Sequence, residues 1–165
     1  MSSKAHALEL LDFTHGLLNQ MIDTVPADKA TFQMHPTSNH VLYTLGHLAC
    51  TYNWLSTMID PTGATTPKLP ETYKGLFTGE CKPTSDASRY PAAAEVRKNY
   101  DAAFSAYRKL VEGLKETEIW SKPAIETKGF SSSKIDGAYK CAWHDGWHIG
   151  QVADVRRALG LKPLM

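Results

Sequence analysis

His144 and His148 stand one helical turn apart in the run from Ala142 to Gln151. Four residues of helix advance about 400° and rise about 6 Å, so both imidazoles leave one face within reach of a single ion. Two ligands hold a divalent metal poorly, and the pair calls for a third donor on another element. His47 is the best candidate, because Gly46 beside it has no side chain to keep another helix backbone away. Each of these residues could instead be a core histidine bonded to a neighbouring side chain. An imidazole left unsatisfied on an apolar stripe costs about 1–3 kcal/mol, and one shared metal removes that cost for all three.

The elements that would carry them read as helices. The first, about 4 to 23, places Leu8, Leu11, Leu18 and Ile22 on one face, with Leu10, Leu17 and Met21 beside it. A second, about 38 to 59, opens at Thr37-Ser38-Asn39, all good capping types, carries His47, and stops at Asp60-Pro61. The third, about 91 to 116, takes Pro91 as its first residue and repeats Val96, Tyr100, Ala103, Tyr107, Leu110 and Leu114. The fourth, about 134 to 159, ends with Arg156, Arg157, Gly160 and Pro163. Its inner stripe runs Gly137, Cys141, His144, His148, Gln151, Val152, Val155 and Leu159, so the histidines face the core.

The connection from 60 to 89 collects four prolines and three glycines and reads as a long loop. It either crosses the end of the fold or covers a site mouth with Tyr73, Leu76 and Phe77 turned inward. A second long connection runs through Pro123 and Gly129 to Ser133. The whole, 1–165, reads as one all-α domain.

Composition narrows the function classes. The net charge of +1 comes from 18 basic and 17 acidic residues mixed along the chain, so no basic stripe marks a nucleic-acid or membrane surface. No apolar run approaches the ~18 residues of a membrane span. Cys50, Cys81 and Cys141 are an odd, widely spaced set, which suits reduced thiols in a cytoplasmic protein. Cys50 and Cys141 read as packing residues near the candidate ligands, and Cys81 as a free, exposed thiol.

The stretch from Asn39 through His47 to Trp54, with the late His144-x-x-x-His148-x-Gly150-Gln151 and Arg157-Ala-Leu-Gly160, resembles the DinB-like metalloenzyme family over nearly the whole chain. The resemblance implies a four-helix bundle, to which the residue pattern adds the long connections between helices 2 and 3 and between helices 3 and 4. It also implies one divalent metal on three histidines, one from the second helix and two from the fourth. His47, His144 and His148 match those positions. Three neutral imidazoles leave coordination positions open, as catalytic sites do, and they suit zinc first, with nickel or iron as alternatives. Some family members use low-molecular-weight thiols as cosubstrates, which implies a thiol-dependent transferase or isomerase acting on a small-molecule substrate. The alternatives are a metal-dependent hydrolase and a non-catalytic metal-binding or interaction bundle. A homodimer is implied as well.

The remaining candidates follow from position. Gln151 lies near the His148 face and could bond a substrate, and His40 lies two turns before His47; these are the candidate catalytic groups. Trp54, Trp143 and Trp147 surround the ligand segments and could wall a pocket. His35 reads as peripheral, and His6 and His15 as polar-face or boundary residues of the first helix. The five arginines Arg89, Arg97, Arg108, Arg156 and Arg157 read as solvated. The run His144-Asp145-Gly146-Trp147-His148 departs from the zinc-protease His-Glu-x-x-His pattern. Asp145 is shorter than the glutamate it would replace, and no histidine or glutamate follows His148. Asp145 is therefore expected to face away from the metal, holding a ligand ring, a partner helix, or solvent.

Overall fold

A computed structural model of the chain describes residues 2–79 and 81–164. It is all-helical, with no strand among those residues. The elements are α1 (Ser3–Asp23), α2 (Val41–Thr57), α3 (Thr72–Phe77), α4 (Ala93–Gly113) and α5 (Lys134–Ala158), with short 3₁₀ turns at Ala27–Lys29 and Ala87–Arg89. No helix is long and apolar enough to cross a membrane.

Local chemistry sets the boundaries. Ser2 caps α1 by accepting from the Ala5 amide, and Ser133 caps α5 by accepting from the Asp136 amide. At the other end of α5, Gly160 adopts a φ of 71°, and the Leu161 amide returns to the Arg156 carbonyl at 3.0 Å, closing the helix as a left-handed cap does. Arg156 is buried there, donating to the Met21 and Lys162 carbonyls, where the sequence suggested a solvated arginine. Two starts differ from expectation. The α2 cap is His40, one residue beyond Asn39, and α4 begins after Ala92, which leaves Pro91 outside the helix.

Alternation of burial then fixes the packing. Ala7, Leu11, Leu18 and Ile22 on α1 face α5, while Val96, Tyr100, Ala103, Tyr107 and Val111 on α4 face α2. Most of α2 is buried, because α3, α4 and α5 all pack against it. His47 is therefore carried on the most enclosed helix, opposite the histidine face of α5.

The 60–89 connection is not structureless. It holds α3, whose Tyr73 and Phe77 are buried while Leu76 is half-buried. At Gly46 an added Cβ would lie 2.4 Å from the Phe77 ring, so the missing side chain admits an aromatic ring from α3 and not a neighbouring helix backbone.

Candidate metal centre

α2 presents His47 toward α5, and the four-residue spacing of His144 and His148 aims both rings back at it. The nearest ligand atoms of the three all lie within 4.8 Å of one another. His144 Nε2 is 3.4 Å from His47 Nε2 and 3.3 Å from His148 Nε2. The three histidines named from the sequence thus meet at one point.

Two hydrogen bonds decide what those nitrogens offer. His47 Nδ1 lies 2.9 Å from the Phe77 carbonyl oxygen, which can only accept, so that nitrogen carries the proton. His148 Nδ1 lies 2.8 Å from Gln151 Oε1, which fixes the same tautomer. Both rings then turn an Nε2 lone pair toward His144. One proton on His144 Nε2 could satisfy only one of them, and His144 Nδ1 is itself buried with no partner. A single cation at the meeting point satisfies every facing lone pair, so the donor set fits a metal.

Burial keeps these rings neutral. It lowers the His47 pKa, and with His47 beside it brings His144 down to about 4. His148 falls to about 3, through burial and then its two histidine neighbours. Neutral imidazole is the form a metal needs.

Residues 10–152 match the family described as the DinB superfamily. The chain belongs to it. No curated protein matches the chain. The family match covers all three histidines, and the cluster they form in this DinB-superfamily chain could bind a metal.

The histidines open on a cavity of about 490 Å³. Pro36, Thr37, Asn39 and Tyr43 line one side, Trp147 and Gln151 another, and the segment Gly79, Cys81, Lys82 and Pro83 a third. Cys81 was expected as an exposed loop thiol; it is half-buried, and it is a lining residue that sequence position alone did not flag. The Phe77 carbonyl was missed as well, since a backbone group carries no sequence signal.

Other candidates fall elsewhere. His40 is buried outside the cavity lining, where its Nδ1 accepts from the Tyr43 amide at 3.0 Å and caps α2. Gln151 lines the cavity, but its Oε1 is used to hold His148 and to accept from Asn39 Nδ2 at 3.0 Å. Of the tryptophans, Trp147 alone lines the cavity. Trp54 packs edge-on against Phe130, and Trp143 stands exposed beside Trp147. Cys141 packs in the core and Cys50 is half-buried, and neither joins the histidine cluster. His15 is a half-buried boundary residue of α1; its ring stacks on Phe104, and its Nδ1 is 3.0 Å from the Tyr100 hydroxyl.

Asp145 points away from the histidines into the core. It is fully buried and accepts from the Tyr52 hydroxyl at 3.0 Å, and burial pushes its carboxyl up to about 8. The partner-helix role is the one it takes; the solvated one is excluded.

Proposed function

We propose that this DinB-superfamily chain is a metal-dependent enzyme acting on a small molecule, with His47, His144 and His148 holding one divalent ion. The reading rests above all on two hydrogen bonds, Phe77 to His47 and Gln151 to His148, that turn Nε2 lone pairs together at the floor of an open cavity. Zinc is the ion we favour, then nickel or iron. Bound there, the ion would supply positive charge that favours the anionic form of a thiol.

The chemistry we infer is thiol-dependent transfer or isomerisation, with a low-molecular-weight thiol as cosubstrate. Among the described residues lining the cavity there is no aspartate or glutamate to serve as general base, which makes hydrolysis the weaker alternative. The chain's own groups have clear tasks. Phe77 and Gln151 hold two rings in one orientation, and the Tyr43 ring stacks on His47 with centroids 5.7 Å apart. Trp147, Pro36 and Pro83 offer apolar walls that would exclude water from a bound substrate. In this reading 1–165 is one cytoplasmic domain, a four-helix bundle of α1, α2, α4 and α5 that works as a homodimer.

The test is elemental analysis of protein purified without a histidine tag or chelator, beside the His148→Ala variant. About one metal per chain, lost in the variant, is the expected result, followed by a shift in the visible spectrum of the cobalt-exchanged protein on adding a thiol. Wild-type protein that carries no metal and cannot be reloaded would return the three histidines to the role of core polar residues and favour a non-catalytic bundle.

A further inference from the structure

The described residues that line the cavity before the histidines carry charge of one sign only. Among them Lys82 is the one charged side chain, and it is exposed at the rim. It makes no ion pair with a described residue. Gln151 adds a second donor. Its Oε1 is committed to His148 and Asn39, while no described residue accepts from its Nε2. The imidazoles are neutral, so a divalent ion on them would leave its charge uncompensated by the protein. Lys82, the Gln151 amide N–H and an ion on the histidines therefore all favour negative charge. The cavity walls favour an apolar body: Trp147 is 59% exposed, with Tyr43, Pro36 and Pro83 also in the lining.

We propose that this cavity binds a small organic anion, its negative group drawn by Lys82 and the Gln151 amide and its apolar body laid on Trp147. The inference rests on the metal-centre reading for its full strength, since the ion would add to the same field. Lys82 selects by charge, and Trp147 by shape. A carboxylate is the simplest such group, because its oxygens accept from either an ammonium or an amide N–H. A cationic ligand of the same size would meet the lysine with like charge and be rejected.

Two probe series separate charge from thiol chemistry. In the cobalt-exchanged protein, 3-mercaptopropionate, 2-mercaptoethanol and cysteamine share a thiol and differ in the charge at the other end. The carboxylate should bind tightest and the amine weakest. In Lys82→Gln the advantage of the carboxylate over the neutral thiol should fall about five-fold, the upper range for a solvent-touched ion pair. The second series is 3-phenylpropionate, 3-phenylpropanol and 3-phenylpropylamine, followed by the NMR shift of the Trp147 indole N–H, assigned through Trp147→Phe. It reads the cavity with or without metal. Equal affinities across both series, or a ranking that Lys82→Gln leaves unchanged, overturns the anion assignment while leaving the metal centre intact. Failure of cobalt to bind, with the charge ranking preserved at Trp147, removes the metal reading and retains the anion cavity.

Discussion

The Tyr52 hydroxyl donates to Asp145 Oδ2 at 3.0 Å, with both residues fully buried, and this bond ties α2 to α5 immediately behind the histidine face. Tyr52 lies five positions after His47, and Asp145 directly follows His144. The side of each helix turned from the cavity thus fixes how the two histidine-bearing helices meet.

Removing the hydroxyl tests that tie. Tyr52→Phe leaves the ring packing in place and deprives a buried carboxyl of the donor on Oδ2, while Oδ1 already has no partner. A loss of about 1–3 kcal/mol in urea unfolding is expected. Unchanged stability would mean that the bond contributes nothing to holding α2 on α5.

Gly46 admits the Phe77 ring, and the same residue supplies the carbonyl that orients His47. Gly46→Ala would push α3 outward and loosen that carbonyl. We expect about 1–3 kcal/mol of destabilisation together with weaker zinc binding. Calorimetry and competition against a chromophoric chelator read the two effects separately; loss of stability with unaltered zinc affinity would detach Phe77 from the metal centre.

Gln151→Leu keeps the volume near His148 and removes the acceptor for its Nδ1. A residue that holds a ligand ring in this way is expected to matter about 10- to 100-fold in metal affinity, with little change in helix content by circular dichroism. An affinity equal to wild type would show that His148 needs no such support.

His40 gives a pH dependence with a definite sign. Burial brings its pKa from 6.5 down to about 4, and its neutral Nδ1 is what caps α2. Above about pH 6.5 folded and unfolded chains both hold it neutral and the cap is intact. As pH falls from 6.5 toward 4 the unfolded chain takes up the proton first, so stability drops, by about 3 kcal/mol at most for this group. His15, also lowered to about 4 by burial, acts in the same direction. His40→Asn keeps a capping acceptor that does not titrate, and its melting temperature should fall less steeply over that window. Parallel curves for variant and wild type would exclude the cap as a source of acid sensitivity.

The four long helices were legible because their apolar periodicity is a property of each segment alone. The two-histidine face of α5 was legible for the same reason. Periodicity says which side of a helix faces inward, but not what it meets there. Trp54 and Trp143 share segments with the clustered histidines yet lie outside the cavity, because their helix faces turn them toward Phe130 and solvent. Cys81 enters the cavity through a loop whose path is set by Phe77 docking on Gly46. No local pattern reports such a contact between segments 31 residues apart in number. Asp145 was ambiguous because a lone acid on a helix is usually solvated, and only the position of Tyr52 on another helix makes its burial tolerable.

His47 and His144 are separated by 97 positions, and Asn39 and Gln151 by 112. The three-histidine set is consequently split by any break between α2 and α5: a polypeptide that ends before α5 holds one of the three, and a fragment holding α5 alone holds two. Bringing the ends of so long a loop together carries its own entropic cost, which only the docking of α5 on the rest of the fold can meet. An ion that needs all three rings would bind only once α5 has docked against α2, so its capture would report that docking, and cleavage anywhere between α2 and α5 that frees the two parts would release it.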